Sequence, residues 1–346
     1  MPKKKQTNKK ELKNEININK AVKSLNSDVV KNVTDEWSGV EPTNKSMGLV
    51  PLTLDRGVKT TIVGTVYGMN FEIEDAEYKV NVFFDYYNRR LKILNYYCKT
   101  KYGGMLKRLA WLAEANSFDK IFVKAKEKDF QKFLSHGYML EGIIKYYFDG
   151  EDAYVLSRFS SVERAKSSKL IKESELIEDI IYRSNPPKKR FLPKNIKIVR
   201  ATKADISKLV YIYRQVFETY PSPLTSPDYI ESVINQDVYF LLALEDGEPV
   251  AAASAEINRK HLNAELTDCA SIPVVQGKGI MQFILRELEK MMIKEGMTSL
   301  YTLARSQSIG MNKSFFRLSY EYSGRLINNC DIFGSFEDLN IWAKKI

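Results

Sequence analysis

Residues 264–289 read AELTDCASIPVVQGKGIMQFILRELE. An alternating extended run ends at Pro273, the glycine turn QGKG follows, and an amphipathic pattern begins at Ile280. One glycine suffices for a turn, so two around a lysine ask for another reason. A strand, a glycine turn and a helix start gather backbone N–H groups and the positive end of a helix dipole around one concavity, which is the chemistry of an anion site. The common nucleotide loops do not fit. A P-loop needs Gly-Lys-Ser/Thr after four spacers, and the dinucleotide fingerprint needs a third glycine where Gln282 stands.

Working outward, the chain divides at a proline-rich, basic stretch, SNPPKKRFLPKN, which ends any helix before it. We expect an extension at 1–50, rich in Lys, Asn and Ser and without a packed core; an amino-terminal α/β domain at 51–184; a linker at 185–195; and a second α/β domain at 196–346. In the first domain, strand-like runs from Val58 to Asn95 precede a helix from Met105, the strand KIFVKA, a short helix closed by Gly137, and a hairpin turning on DGED. The second domain opens with strand IKIVR, a helix capped near Thr202 or Asp205, and a hairpin around Asp246-Gly247. The quoted stretch then supplies a strand and helix, followed by strand TSLYTLARS, helix IGMNKSFFRLSY and a strand-like end. HGYMLEG at 136–142 and LSYEYSG at 318–324 each place a tyrosine four residues before a glycine. A shared architecture of the two halves and a chance likeness of two α/β hairpins both account for this echo.

Composition narrows the class. With 44% hydrophobic and 28% charged residues the chain has the make-up of a soluble globular protein. No apolar run approaches the roughly 18–20 residues of a membrane span, and the basic start has no apolar segment behind it. A cytoplasmic protein is expected. Cys98, Cys269 and Cys330 are scattered and odd in number, and His136 and His261 lie far apart, so neither a disulfide framework nor a metal site is expected. The net charge of +10 sits largely in the first 45 residues and the linker, without clustered arginines and interleaved aromatics, which argues against a nucleic-acid surface.

Gln276, Gly279 and Met281 occupy the pattern Gln/Arg-x-x-Gly-x-Gly/Ala, which resembles the pyrophosphate loop of the Gcn5-related N-acetyltransferases. Met281 departs from the small residue at the last position and puts the loop's geometry in question. The order of strands and helices from Ile196 to Tyr322 follows the same superfamily. The resemblance implies a mixed central sheet flanked by helices, acetyl-CoA as co-substrate without a metal, and cofactor contacts from Ile272, Val274, Gln276, Gly277, Lys278, Gly279, Ile280, Met281 and Asn312. Acetyl transfer to an alkylamine needs an acceptor for the ammonium proton, a place for the oxyanion and a proton for the leaving thiolate. Glu265, eleven residues before Gln276, is the first candidate base. Asp268 faces the other way on a regular strand, and a bulge would reverse that parity. The superfamily's tyrosine acid would stand at Phe315, which has no proton, so Tyr320, Tyr322 or water must serve.

The stretches quoted from 264 onward, with YTLARSQSIGMNKSFFRLSYEYSGRLINN, FEDLNIWAKK and YYFDGEDAYVLSRF, resemble the β-lysine N6-acetyltransferase family over about 58–346. The first domain would then be of related, degenerate architecture. The implied reaction is acetylation of the terminal amine of β-lysine, downstream of a lysine 2,3-aminomutase, to give the osmolyte Nε-acetyl-β-lysine. The substrate's carboxylate would need a cationic or amide partner, for which Arg305, Asn328 and Asn329 are candidates. Two other readings stand beside this one: an acetyltransferase of the same fold acting on lysine, a polyamine or a protein lysine, and a non-catalytic cofactor- or RNA-binding relative.

Overall fold

The computed structural model describes residues 58–65, 68–183, 191–234 and 236–346. The expected extension at 1–50 and residues 185–190 of the expected linker lie outside the described residues. Four antiparallel strands open the fold: β1 (Val58–Thr65), β2 (Gly68–Glu74), β3 (Tyr78–Asp85) and β4 (Arg90–Cys98). Helix α1 (Tyr102–Ala115) crosses to β5 (Lys120–Lys126), parallel to β4, and α2 (Glu127–Leu134) leads to the hairpin β6 (Met139–Phe148) and β7 (Glu151–Phe159). Helices α3 (Val162–Ala165) and α4 (Leu170–Arg183) follow.

The second half runs β8 (Ile196–Arg200), α5 (Ile206–Val216), α6 (Pro227–Val233), β9 (Val238–Glu245), β10 (Glu248–Asn258) and β11 (Asn263–Ser271). It continues through α7 (Ile280–Lys294), β12 (Ser299–Arg305), α8 (Ile309–Arg317), β13 (Glu321–Ile332) and β14 (Ser335–Lys345). Each helix buries the face its spacing marks: Leu106, Leu109, Ala110 and Ala113 on α1, and Ile284, Leu285, Leu288 and Met292 on α7. Both hairpins turn on Asp-Gly pairs, 149–150 and 246–247, whose residues all take positive φ.

The segments expected as separate domains contribute seven strands each to one sheet, ordered β1-β2-β3-β4-β5-β7-β6-β13-β14-β12-β11-β10-β9-β8. Counted from its outer edge, each half has the same order. Each also has one parallel pair, β4 with β5 and β11 with β12, bridged by a helix. The echo noticed in the sequence lies at the join, where Gly142 of β6 is paired directly with Gly324 of β13. Any side chain there would collide: a Cβ on Gly324 would stand 2.4 Å from the Gly142 Cα and 2.4 Å from the Glu141 carbonyl oxygen.

The two halves are further locked by an apolar layer in which Phe122, Ile144 and Val155 meet Leu326, Leu339 and Ile341. Beside it Lys120, fully buried, is ion-paired to Glu141 at 3.0 Å and donates to the Ile327 carbonyl at 2.8 Å, while Glu141 accepts from the Ile327 amide at 2.7 Å. Burial outweighs the carboxylate and pulls the Lys120 pKa down to about 8.

The halves differ in what fills the wedge between their parallel strands. Strands β4 and β5 are paired from Arg90↔Lys120 to Ile93↔Val123 and then part. Tyr96 of β4 reaches across, its hydroxyl accepting from the Lys126 amide at 3.4 Å and donating to Asp129 at 3.2 Å. Tyr102 and Phe133 pack on it edge to face, Tyr138 packs on Phe133 in turn, and His136 lies against Gly103 at the start of α1. The first half's wedge is thus closed by its own side chains.

Gly324→Ala is expected to destabilise the protein by on the order of 3 kcal/mol, because backbone at the join has no room to yield. Denaturant unfolding checks it; a loss under about 1 kcal/mol would show that the join relaxes.

Candidate active site

In the second half the corresponding wedge is open. Strands β11 and β12 are paired only at Asn263↔Ser299, Ala264↔Leu300 and Glu265↔Tyr301, and beyond Glu265 they part. A cavity of about 550 Å³ occupies the gap, bounded by Thr267 and Asp268 of β11, Thr302 of β12, the loop 276–281, and Phe217 and Tyr220 after α5.

One end of the cavity is the glycine loop. Gly277 and Gly279 take φ of 77° and 82°, and Gly279 is the residue that caps α7. The Gln282 N–H is bonded to the Gly279 carbonyl at 3.2 Å and the Lys278 N–H to the Val275 carbonyl at 3.3 Å. The N–H groups of Ile280 and Met281, the first two of α7, precede any intrahelical acceptor, and neither Gly277 nor Gly279 brings a side chain between them and a ligand. Gln276 ties the loop to β11 by donating to the Ser271 carbonyl at 3.0 Å. Met281, the departure from the motif, is buried in the core with Ile280, Ile284 and Leu285, so its bulk is taken up beneath the loop. These residues fit an anionic group such as a pyrophosphate.

Other expected contacts lie elsewhere. Ile272 packs against the core and its amide is bonded to the Val250 carbonyl, while the Val274 side chain is exposed. Asn312 is fully buried below the cavity. Its amide donates at 2.9 Å to the carbonyls of Arg305 and Ser308, and its oxygen accepts from Asn340 at 3.0 Å and Trp342 at 2.8 Å. With its polar groups spent this way, Asn312 docks α8 onto β14.

The other end is acidic. Between Ala252↔Ala270 and Ser254↔Thr267 one residue of β10 faces two of β11, a bulge at Asp268 and Cys269, with Asp268 at φ 53°. The bulge turns Asp268 onto the face that Glu265 and Thr267 occupy. There its carboxylate accepts from the Ser254 hydroxyl at 2.6 Å and from Tyr220. Burial pushes its pKa up to about 6, Ser254 and Tyr220 pull it down, and the charge of Glu265 raises it. The cavity wall carries Asp268 and not Glu265.

Glu265 sits one step back at the apex, beside the Tyr301 phenol, which burial and the Glu265 charge push well above its usual range. Opposite on β10 is Glu256. The protein around its carboxyl, then the charges of Glu265 and Asp268, push its pKa up to about 8 against the pull of Lys92 and Lys124. No spacing rule pointed to Glu256 or to these lysines; only the pairing of β10 with β11 and the placement of the first half bring them together.

Tyr320 does not line the cavity. It is buried against Phe315, ring centroids 5.1 Å apart, with Glu289 beside it, and its pKa is raised well above the usual range by burial first and then by that carboxylate. Phe315 itself is on the cavity wall. Tyr322 packs on Trp342. Of the residues expected to meet a substrate carboxylate, Arg305 lies on the cavity wall, over the Phe333 ring and paired with Glu337 at 3.5 Å, while Asn328 donates to the carbonyls of Glu163, Arg164 and Lys166 and Asn329 is buried against Cys330. Among the described residues no three His, Cys, Asp or Glu side chains cluster as a metal site requires, and no helix is long and apolar enough to cross a membrane.

With this geometry in view, comparison with known proteins is informative. The acetyltransferase (GNAT) family matches residues 207–314, which span α5 to α8 and hold both ends of the cavity. The chain is 34% identical over 266 residues to N-acetyltransferase YodP of Bacillus subtilis, covering 76% of this chain and 94% of that one. It is 34% identical over 255 residues to a β-lysine N6-acetyltransferase of Methanosarcina mazei, covering 68% of this chain and 94% of that one. A β-lysine N6-acetyltransferase of Methanococcus maripaludis is 35% identical over 244 residues, 70% of this chain and 88% of its own. The open wedge, the glycine loop and the bulged acidic strand lie within the family match, and the relatives cover two thirds or more of the chain: the chain belongs to the β-lysine N6-acetyltransferase family of the Gcn5-related N-acetyltransferases, and is an N-acetyltransferase.

Proposed function

We propose that the enzyme transfers the acetyl group of acetyl-CoA to the terminal amine of β-lysine, with Asp268 as the proton acceptor. The observation that carries this reading is the wedge beyond Glu265↔Tyr301, with an anion-binding helix start at one end and a buried carboxylate at the other. When acetyl-CoA is bound, its pyrophosphate would lie on the loop 276–281 and its thioester would supply the acyl group. The chain's own residues supply the rest.

An alkylammonium, with a pKa near 10.4, must lose a proton before its nitrogen can attack. Asp268, with a pKa of about 6, is ionised at neutral pH and still basic enough to share that proton. Ser254 and Tyr220 hold the carboxylate in place. The bulge leaves a backbone amide outside the ladder, a donor suited to the carbonyl oxygen as charge builds on it. The first ammonium proton passes by way of Asp268 to solvent, which leaves the carboxylate free again. The second, taken by Asp268 as the nitrogen attacks, can return to sulfur, since a carboxyl group is a stronger acid than a thiol. Acetylation removes one positive charge from β-lysine and leaves a net-neutral solute, consistent with an osmolyte made after an aminomutase has moved the amino group of lysine.

The substrate reading is tested by kcat/KM with acetyl-CoA for β-lysine, lysine and a polyamine. A preference for β-lysine over lysine of about 10² is expected, because misplacing the far amino group leaves buried polar groups unpaired. Equal values would refute it.

Asp268→Asn should lower kcat/KM about 10²- to 10⁴-fold, and more than Glu265→Gln does; the wild-type profile should fall as pH drops through about 6, where Asp268 takes its proton. The same substitution should stabilise the fold. The native pKa of Asp268 lies above the ordinary 3.8, so native stability declines as pH rises from about 4 through about 6, and the penalty is complete above that. Asn removes the charge, so the Tm gain of Asp268→Asn should be present at pH 8 and vanish near pH 4.

In the loop, Gly279→Val should weaken acetyl-CoA binding more than Lys278→Ala, since the backbone carries the contact and valine resists a φ of 82°. Calorimetry giving the reverse order would remove the pyrophosphate from this loop.

A further inference from the structure

The acidic residues on β10 and β11 face the first half of the chain, which brings Lys92 and Lys124 near Glu256 while Glu256 itself stays open to solvent. Lys124 of β5 lies between two phenols, its Nζ donating to Tyr301 at 2.9 Å and to Tyr147 at 3.3 Å, 4.7 Å and 4.5 Å above their ring centroids. Tyr301 is the register partner of Glu265. Among the described residues Lys124 closes no ion pair with Glu256 or Glu265, although both carboxylates lie on the strands below it. A half-buried ammonium bonded to neutral oxygens keeps its charge unspent, and one of its three N–H groups remains for another acceptor. The neighbouring lysines differ. Lys92 is paired with Asp85 at 3.3 Å, and Lys126 is exposed at the rim above Phe148.

We propose that Lys124, held by the phenols of Tyr147 and Tyr301, binds the carboxylate of the amino-acid substrate, so that the catalytically silent first half supplies the specificity-determining end of the active site. This rests on the reading of the enzyme as an amino-acid N-acetyltransferase. The floor beneath Lys124 is acidic, with Glu256 and Glu265 directly opposed on adjacent strands, and the Glu265 charge favours a proton on Glu256 in the free enzyme. Two carboxylates so placed would repel, and an ammonium group between them lets both ionise. A cation above and paired carboxylates below match a zwitterion with its amino and carboxyl groups on neighbouring carbons or one carbon apart, while the terminal amine extends to Asp268. Asn328 and Asn329, bonded to backbone carbonyls and to Cys330, do not compete for this role, and Arg305, which lines the cavity, is already paired with Glu337 at 3.5 Å.

The test pairs each amino acid with the diamine left when its carboxyl group is replaced by hydrogen: β-lysine with its decarboxylated diamine, and lysine with cadaverine. Lys124→Met should lower kcat/KM about 10²-fold for the amino acid, chiefly through KM, and change the diamine by less than threefold, with Lys124→Arg recovering part of the loss. Tm and the KM for acetyl-CoA should stay near wild type. If Lys124→Met does not fold, Tyr147→Phe, which removes one phenol oxygen, should show a smaller loss confined to the amino acid. Equal losses on both members of a pair, a loss under threefold on the amino acid, or a wild-type enzyme that acetylates the diamine as well as the amino acid would overturn the proposal. A wild-type preference for lysine over β-lysine would overturn the β-lysine reading alone, and the lysine and cadaverine pair would then decide the role of Lys124.

Discussion

Everything in the catalytic half follows from the point at which β11 and β12 stop pairing. Two strands that part in the middle of a sheet leave backbone donors and acceptors that must be satisfied by something other than each other. In the first half Tyr96 does this, bridging to the Lys126 amide and shutting the wedge. In the second half the gap stays open, edged by a helix start and a bulge, and a ligand of extended shape can complete it. The same strand order therefore yields one closed half and one receptive half, and the difference lies in a few side chains set at the wedge.

The join of the halves makes the closed half useful. Gly142 and Gly324 allow the two backbones to approach where no side chain could fit, and the buried Lys120–Glu141 pair fixes the register by bonding to Ile327 across the join. A buried pair of this kind contributes little net stability, but breaking it would leave a charge without a partner, so it opposes alternative packings. Held in this way, β5 and β6 bring Lys124 and Tyr147 against Tyr301 beside the acidic residues of the catalytic sheet. Asn312 plays a comparable part underneath, tying α8 to β14 through Asn340 and Trp342 so that the cavity wall is rigid on the side away from the substrate.

The electrostatics of the site set function against stability. Asp268, Glu265 and Glu256 occupy neighbouring positions on two strands; burial and the charge of Glu265 raise the pKa of Asp268 to about 6, and crowding by protein with the charges of Glu265 and Asp268 raises that of Glu256. A surface chosen for stability alone would not place them together. An enzyme that must strip a proton from an amine gains from a carboxylate poised near neutrality, and the accompanying strain is of the kind that active sites commonly retain.

Much of the fold was legible in the sequence. The periodicities of α1 and α7, the Asp-Gly hairpins and the proline-rich break all act through local geometry, which a chain carries wherever it goes. The glycine loop at 276–279 was legible for the same reason, since positive φ and an uncovered helix start are local properties. Asp268 was visible only as an alternative to Glu265, because strand parity depends on a bulge, and a bulge is defined by the register of a partner strand 14 residues away in the chain. Tyr320 and Asn312 read as site residues through the family resemblance, but packing against Glu289 in one case and Trp342 in the other directs their polar groups away from the cavity. Lys124 carried no signal at all, since its place above Tyr301 follows from the meeting of segments 177 residues apart. The sequence by itself determined the elements, the anion loop and the family; the tertiary structure alone decided which carboxylate faces the cavity and what covers it, because both depend on contacts between strands that share no local sequence.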